Sequence, residues 1–228
     1  MKRLIIIPAY NEQDSILETV RDVEKNAPGF DYVVVNDCSK DDTLKICREN
    51  HIHVLDLPIN LGIGGAVQTG YLYAYKNGYD IAAQIDGDGQ HDPSYLEMMA
   101  DELMEQDLDM VIGSRFIENK GFQSSALRRS GIRFFTFLLK VLFGKTITDA
   151  TSGMRMCKRR AMELVIIGYP RDYPEPETVA RLLRHKYKVK EMSVVMRERS
   201  GGVSSISARR SIYYMIKVTL AILIERLR

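Results

Sequence analysis

Short apolar runs alternate with amphipathic stretches along the first 114 residues of the chain. The runs are four to six residues long and nearly continuous, as in strands buried on both faces of a parallel sheet. The stretches between them repeat apolar residues at helical spacing. Strands are predicted at Leu4–Pro8, Tyr32–Asn36, His53–Leu57, Ile81–Asp86 and Met110–Gly113, and helices at Glu12–Asn26, Asp41–Glu49, Ile63–Asn77 and Ser94–Glu105. Asn11 and Asp41 are the expected N-caps. This alternation predicts an α/β fold with a mainly parallel sheet.

The second half of the chain is less regular. Its pattern predicts helices at Ser125–Phe143, Cys157–Ile166, Thr178–His185 and Ala208–Leu227, a strand at Lys188–Met196 and a small-residue loop at Arg199–Ser207. No internal repeat or linker interrupts the chain, and 228 residues suit one α/β domain with an ample core. We therefore expect residues 1–228 to form a single domain.

Composition excludes several classes of protein. Hydrophobic residues make up 45% of the chain and charged residues 27%, which is typical of a globular protein and not of a disordered or collagen-like chain. The three cysteines, Cys38, Cys47 and Cys157, form no CxxC motif and have no histidine at ligand spacing. This favours reduced thiols in a cytoplasmic protein over disulfides or structural zinc.

The net charge of +2 conceals an uneven distribution. Residues 1–114 carry 8 Lys and Arg against 21 Asp and Glu (−13), whereas residues 115–228 carry 24 against 9 (+15). An acidic front half and a basic back half indicate a cation site in the first and phosphates or an anionic surface in the second.

Several apolar segments are relevant to whether the protein associates with a membrane. The run that begins the chain ends at Pro8 and is too short for a signal peptide. The segment Ile212–Ile224 has 13 residues, fewer than the ~20 that span a bilayer, so we expect no segment to cross one. Gly131–Phe143 and Ala208–Lys217 combine apolar residues with cations, which suits a helix in the headgroup region or a helix packed on the core. Both interpretations stay open.

Polar and glycine-rich segments follow the predicted strands. They are Asn11-Glu12, Asn36-Asp37, Asn60–Gly65 and Asp86–Asp92. Ligands of parallel sheets bind at the carboxyl ends of the strands, so we expect a binding site there. Gly62–Gly65 lacks the Gly-Lys-Ser/Thr ending of a P-loop and does not follow the first strand. We expect its glycines to permit close backbone approach at a helix start.

The turn Asp86-Gly87-Asp88-Gly89-Gln90 is the candidate metal site. Two carboxylates one residue apart can reach one hard cation, and Gln90 adds an oxygen without charge. Such a sparse ligand set suits Mg²⁺ or Mn²⁺ held jointly with substrate phosphates. The alternative is a solvated acidic turn. An EF-hand is disfavoured because the closing glutamate of that loop is missing.

Seven segments, in chain order, resemble the motifs of the family 2 glycosyltransferases. They are Ile6–Glu12, Val33–Thr43, Asn60–Ala66, Asp86–Gln90, Gly113–Arg115, Asp149–Arg155 and Arg199–Ser204. Each motif alone is weak, but seven in register exceed a chance match. Within the family the chain is most similar to the dolichol-phosphate mannose synthase branch, in which Asp-x-Asp-x-Gln coordinates the metal.

The resemblance implies a three-layer, Rossmann-like GT-A fold and a nucleotide-sugar donor. Its positions for the nucleoside and base are Pro8, Tyr10, Glu12 and Asp37. Asp86 would lie near the ribose and the metal, while Asp88 and Gln90 would bind the metal that bridges the diphosphate. Asn60 and Gln68 are further candidate donor contacts. Residues 1–114 would thus form the donor and metal half, 115–207 the acceptor half and 208–228 an amphipathic C-terminal helix.

The arginines of the second half suit bidentate phosphate binding. They are Arg115, Arg128, Arg129, Arg133, Arg155, Arg197 and Arg199. For most of them a solvated surface charge is the simpler interpretation. The resemblance places Arg115 and one of Arg128 and Arg129 at an acceptor phosphate, and Arg199 at the donor diphosphate. Ser205 stands where the family commonly has Lys, which leaves the diphosphate contacts of that loop open.

The acceptor decides whether a general base is needed. A phosphate is already an anion at neutral pH and attacks the anomeric carbon without a base, whereas a sugar hydroxyl needs one. The family's base region corresponds to Tyr173–Glu177, whose carboxylates either act as the base or line the site. Glu177 is the candidate catalytic carboxylate and Asp149 is another. Asp88 and Arg115 complete the catalytic set that the resemblance implies.

The resulting hypothesis is a metal-dependent, inverting glycosyltransferase that moves a hexose from a UDP- or GDP-sugar to a polyprenyl phosphate, undecaprenyl or dolichyl. Mg²⁺ or Mn²⁺ would be its cofactor. It would be cytoplasmic and peripheral at the inner face of the membrane, with a homo-oligomeric or membrane partner left open. The alternatives are transfer to a sugar hydroxyl in cell-surface polysaccharide synthesis and a non-catalytic nucleotide-sugar-binding module. Nucleic acid is disfavoured, since the net charge is small and the acidic half holds the best-defined site.

Overall fold

The computed structural model describes residues 1–118, 120–121, 126–197 and 208–228. The strands in this part of the chain are β1 (Arg3–Ala9), β2 (Asp31–Asn36), β3 (Val54–Asp56), β4 (Ile81–Gln84), β5 (Met110–Ser114), β6 (Arg155–Lys158) and β7 (Val189–Ser193). The helices are α1 (Ile16–Asn26), α2 (Thr43–Glu49), α3 (Gly62–Lys76), α4 (Tyr95–Glu105), α5 (Ala126–Phe143), α6 (Arg159–Ile167), α7 (Pro174–Arg184) and α8 (Ala208–Leu227).

The strands form one sheet in the order β3-β2-β1-β4-β6-β5-β7. β1 pairs in parallel with β2 and β4, β2 with β3, and β5 with β7. β6 lies between β4 and β5 and is antiparallel to both. The predicted α/β fold with a mainly parallel sheet is therefore confirmed.

Helices cover both faces of the sheet because the central strands are apolar on both sides. In β1, Leu4 and Ile6 pack into a core with α3, α5, α6, α7 and α8, whereas Ile5 and Ile7 pack into a second core with α1, α2 and α4. All four side chains are fully buried. Each burial contributes about 1.5–3 kcal/mol, so the continuous apolar run fixes β1 in the middle layer.

The sequence prediction was wrong at several element ends. α1 begins at Ile16 rather than Glu12, and its N-cap is Ser15 rather than Asn11, whose φ of 57° takes it out of the helix. The N-cap of α2 is Asp42, although Asp41 still accepts a hydrogen bond from the Thr43 backbone N–H. α7 begins at Pro174 rather than Thr178, because a first helical turn tolerates proline.

The predicted helix at Cys157–Ile166 proved to start at Arg159, because Arg155–Lys158 form β6. These four residues are too few to show a period of two, and their strand conformation depends on β4 and β5 on either side. The direction of β6 matters for the site. Since it runs opposite to its neighbours, the segment that precedes it, Asp149–Gly153, lies at the edge where β4 and β5 end.

Candidate active site

The segments that follow β1, β2 and β3 are joined around Asp37. Its backbone N–H donates to Ala9 O at 2.9 Å, and its Oδ1 accepts the Leu61 N–H at 2.6 Å. The Asn60 side chain donates to the Asp37 carbonyl at 3.0 Å. Burial raises the pKa of the Asp37 carboxyl, while the backbone N–H groups of Leu61 and Gly62 oppose this. Asp37 and Asn60 therefore lie together at this edge of the sheet.

The segment after β1 carries Tyr10 and Glu12. Pro8 is buried in the strand opposite Val35, whereas the Tyr10 side chain is 43% exposed. The Glu12 backbone N–H donates to Thr43 Oγ1 at 2.8 Å, and its carboxylate accepts from Ser15 Oγ at 3.0 Å. The exposed tyrosine ring thus stands on a segment fixed by its neighbours, which suits stacking against a planar ligand.

Gly64 and Gln68 of α3 contact other parts of the protein. They do not face the space beside the carboxyl ends of β1, β2 and β4, which is called the cleft below. A Cβ on Gly64 would lie 1.8 Å from Pro170 O, and the Gly64 N–H donates to Arg171 O at 3.0 Å. The expectation of close backbone approach at Gly62–Gly65 is confirmed, with residues 170–171 as the partner. The Gln68 side chain donates to Ile166 O at the end of α6, at 2.9 Å.

The turn Asp86–Gln90 follows β4 and is fixed from several sides. Gly87 O accepts from Ser15 Oγ at 2.9 Å and from Thr19 Oγ1 at 3.1 Å. A Cβ on Gly87 would lie 3.0 Å from Pro8 O, so the turn packs closely on β1. Gly89 has a φ of 74°, a conformation that favours glycine.

His91 supports the same turn. Its Nδ1 accepts the Asp86 backbone N–H at 2.9 Å, and the ring is buried. The sequence holds one signal for this role, the position of His91 directly after Gln90.

The oxygens of this turn suit a hard divalent cation. The Asp86 side chain is 39% exposed, whereas Asp88 is buried and its Oδ1 accepts the Gln90 N–H at 3.1 Å. A Cβ on Gly153 would lie 2.8 Å from both Asp86 carboxylate oxygens, so only glycine leaves room for them. Across the described residues, His, Cys, Asp and Glu side chains form no metal-binding group of three or more. The remaining ligands of a cation here would have to be phosphate oxygens and water.

On the other side of the cleft, Arg115 and Asp149 form a buried bidentate pair. Arg115 Nε donates to Asp149 Oδ2 at 2.6 Å and Nη2 to Oδ1 at 2.7 Å. Glu191 of β7 accepts the Thr148 and Asp149 N–H groups, each at 2.7 Å. Burial lowers the pKa of Arg115, but Asp149 outweighs it and the pKa lies above its usual value. This pair fixes the segment that leads to Gly153.

Glu175, rather than Glu177, lies near the turn Asp86–Gln90, which is called the metal turn below. Burial raises the pKa of Glu175 to about 7, Arg155 and Arg128 lower it, and Asp86 raises it. Burial and Glu175 together raise the pKa of Tyr214 in α8. Part of the Glu175 side chain remains accessible to solvent. Glu175 thus lies within electrostatic reach of Asp86, Arg128 and Tyr214.

Glu177 faces the opposite side of α7. It lines a small cavity with Leu164, Gly168 and Arg181, and its charged neighbours are Glu225, Lys217 and Arg228. Burial raises the pKa of its carboxyl. The structure therefore does not bring Glu177 together with Asp86 and Asp88.

The remaining arginines differ in how deeply they are buried. Arg155 is fully buried and donates to Ser152 O at 2.6 Å and Glu175 O at 3.3 Å, so it holds backbone. Arg128 and Arg133 are exposed, and Arg129 is half-buried. Arg197 pairs with Asp22 and Asp92. The predicted donor residue Arg199 lies outside the described residues.

No helix in the described part of the chain has both the length and the apolar character needed to cross a membrane.

Known proteins resemble this chain in both sequence and structure. Residues 4–165 match the family Glycosyl transferase family 2. A UDP-N-acetylglucosamine–dolichyl-phosphate N-acetylglucosaminyltransferase of Methanococcus voltae is 32% identical over 183 residues, 71% of each chain. An undecaprenyl-phosphate mannosyltransferase of Micrococcus luteus is 29% identical over 216 residues, 91% of this chain and 88% of the relative.

Two solved structures show the same fold at low sequence identity. Glucosyl-3-phosphoglycerate synthase from Mycobacterium tuberculosis, solved with Mn²⁺, UDP and phosphoglyceric acid, has a TM-score of 0.73 at 17% identity and covers 99% of this chain and 78% of its own. A Pyrobaculum calidifontis mannosyltransferase, solved with GDP-mannose and Mn²⁺, has a TM-score of 0.70 at 17% identity. The match covers 98% of this chain and 64% of the mannosyltransferase. The GT-A fold implied by the motifs is thus confirmed, and the chain belongs to glycosyltransferase family 2.

Proposed function

We propose that this glycosyltransferase moves a hexose, with inversion at the anomeric carbon, from a UDP- or GDP-sugar to a polyprenyl phosphate in the presence of Mg²⁺ or Mn²⁺. The observation that carries the proposal is the position of the turn Asp86–Gln90. Gly87 packs on Pro8 of the donor side, while the Asp86 carboxylate lies against Gly153 and acts electrostatically on Arg115 and Glu175. The turn therefore joins the two sides of the cleft.

On the donor side, Tyr10, Glu12, Asp37 and Asn60 would hold the nucleoside at the ends of β1, β2 and β3. Asp86, Asp88 and Gln90 would hold the cation. When bound, a divalent cation neutralises the charge that develops on the leaving nucleoside diphosphate. Arg199 is proposed at the same diphosphate on the resemblance alone. Pro8 and Gln68 would contribute by positioning β1 and α3, since both are packed against protein.

On the acceptor side, the exposed guanidinium of Arg128, with Arg129 beside it, would bind the phosphate. Arg115 and Asp149 would act by fixing the segment that carries Gly153, because each already satisfies the other. The relatives named for dolichyl and undecaprenyl phosphate support a lipid phosphate acceptor. Such an acceptor attacks as an anion and needs no general base.

A second candidate function is transfer to a sugar hydroxyl. The observation that favours it is Glu175, an enclosed carboxyl near Asp86 with a pKa of about 7, which is the range of an effective general base. In this function Glu175 would act as the base, the role predicted from the sequence for Glu177.

The surface of α5 and α8 supports a peripheral position on an anionic membrane. Phe137, Val141 and Leu220 are among the exposed apolar side chains of the two helices. α5 has no acidic residue, and the one acidic residue of α8, Glu225, is buried and paired with Arg184. Within α5 and α8 the charged residues beside these apolar side chains are cations, which match the negatively charged cytoplasmic leaflet, although Asp172 outside the two helices pairs with Lys217. We accordingly place the protein at the inner face of the cytoplasmic membrane.

A transfer assay tests the proposal. The protein is incubated with radiolabelled UDP- or GDP-sugars, Mn²⁺ or Mg²⁺ and undecaprenyl phosphate, followed by extraction into organic solvent. A labelled lipid that is cleaved by mild acid is the expected result. Label found only on an added oligosaccharide would establish the hydroxyl acceptor, and nucleotide binding without turnover would establish a binding module.

Two variants and one control variant extend the assay. Asp88→Ala should abolish the metal-dependent transfer while the circular dichroism spectrum stays unchanged, and full activity would refute the metal assignment. Glu175→Gln should change turnover less than about tenfold with a phosphate acceptor, whereas loss of a general base costs about 10²–10⁴-fold. Glu177→Gln is the matched control on the far side of α7.

A further inference from the structure

Arg197 binds the metal turn through its main chain. The Arg197 N–H donates to Gln90 O at 3.0 Å, and the Gln90 side-chain amide donates back to Arg197 O at 3.4 Å. The two residues therefore exchange hydrogen bonds, although 107 positions separate them in the chain. This link joins the segment beyond β7 to the end of the turn Asp86–Gln90.

The side chain of Arg197 fixes this link to two other elements. Its Nη1 lies 2.6 Å from Asp22 of α1 and its Nη2 lies 3.0 Å from Asp92, two residues after Gln90. Asp92 also accepts the Ser94 N–H at 3.0 Å, next to the start of α4. One guanidinium thus spans α1 and the approach to α4, with the metal turn between them.

The chemistry of the contact orients the Gln90 amide. A backbone carbonyl can only accept a hydrogen bond, so the NH₂ group of the amide must face Arg197 O. The amide oxygen then points away from Arg197, and its lone pairs stay available to a cation. Rotation of the amide by 180° would set two oxygens against each other.

We propose that Arg197 is a positioning residue that holds the Gln90 amide with its oxygen presented to the divalent cation. The inference rests on the proposed metal site. If the ion pairs of Arg197 were ordinary surface pairs, replacing Arg197 would have a different effect. The Arg197 side chain is 43% exposed, and exposed pairs contribute about 1 kcal/mol or less to stability. A merely structural Arg197 would therefore change thermal stability slightly and leave metal affinity unchanged.

The test is the affinity of the full chain for Mn²⁺, measured by electron paramagnetic resonance with and without UDP or GDP. Arg197→Met keeps the length of the side chain and removes both ion pairs. We expect about tenfold weaker Mn²⁺ binding, the size found when groups that orient a metal ligand are removed. Arg48→Met is the matched control, because it removes another exposed Arg–Asp pair, with Asp56, away from the turn.

A double-mutant cycle establishes the route of the effect. In a Gln90→Ala background, Arg197→Met should have no further effect on Mn²⁺ affinity, because the amide that it orients is gone. Equal affinity of wild type and Arg197→Met, or additive losses in the double variant, would overturn the inference alone. Failure of the wild type to bind Mn²⁺ even with nucleotide would overturn the proposed metal site and this inference together.

Discussion

At the scale of single residues, the arginines of the basic half differ in what their guanidinium groups contact. Of Arg115, Arg128 and Arg155, only Arg128 is exposed. Arg115 is buried against Asp149, and Arg155 is buried against backbone carbonyls. A sequence motif shows that an arginine belongs near a site, but its role depends on which tertiary partners satisfy it.

The Arg115–Asp149 pair gives a first prediction. Asp149→Ala leaves the Arg115 guanidinium buried without its bidentate acceptor, which should lower the free energy of unfolding by about 3–5 kcal/mol. Urea denaturation measures the loss. Asp107→Ala is the control, since this exposed carboxylate pairs with Lys158 and Lys188 at the surface and its removal should cost much less than that of Asp149. Similar losses for the two variants would contradict the buried pair.

Glu175 gives a prediction on pH. Burial raises the pKa of its carboxyl from 4.5 to about 7, so the folded protein retains a proton that the unfolded chain releases across this window. The contribution of Glu175 to stability is complete below pH 4.5 and is lost as the pH rises to 7. Relative to Glu175→Gln, the wild type should therefore lose unfolding free energy between pH 5 and pH 7.5. Urea denaturation of both proteins at the two pH values tests this, and parallel curves would count against the raised pKa.

At the scale of elements, apolar runs predicted the strands well where both faces are buried. β1, β2, β4 and β5 all lie within two residues of their predicted bounds. The pattern did not predict β6, because four residues are too few to show a period and the partner strands of β6 are distant in the chain. The start of α1 was predicted wrongly for a related reason. The Glu12 N–H donates to Thr43 Oγ1, a contact that no local pattern reveals.

Gly64 gives a prediction for the packing of α3. A Cβ added there would collide with the backbone oxygen of Pro170 at 1.8 Å, and backbone cannot move aside cheaply. Gly64→Ala should therefore destabilise the protein by about 1–3 kcal/mol. Gly131→Ala in α5 is the matched control, because the added methyl meets only the flexible Met215 side chain and alanine favours a helix. Thermal unfolding compares the two. A Gly64→Ala protein as stable as wild type would disprove the close contact.

At the scale of the whole molecule, the membrane surface gives a prediction. Phe137→Asp and Leu220→Asp place negative charge on the exposed faces of α5 and α8. Each should reduce binding to vesicles containing phosphatidylglycerol at least severalfold, because the carboxylate opposes both apolar insertion and attraction to anionic lipid. Vesicle flotation measures the effect. Met98→Asp on α4, in the opposite helical layer, is the control and should bind as wild type does.

A different result would identify another occupant of this surface. If wild type does not bind the vesicles but forms a dimer that Leu220→Asp dissociates, α8 contacts a second copy of the chain. Light scattering on the same proteins distinguishes the two outcomes.

The acidic and basic halves of the sequence do not correspond to two sides of the sheet. β5 belongs to the acidic half, yet its partners in the sheet are β6 and β7, both from the basic half. A polypeptide cut after residue 114 would leave β5 with no strand to pair with, and the remaining piece would lack the strands that flank β6. We expect neither fragment to fold alone and the mixture to regain activity on co-refolding. The charge boundary seen in the sequence is therefore a poor place to divide the gene, because strands from the two halves alternate within one sheet.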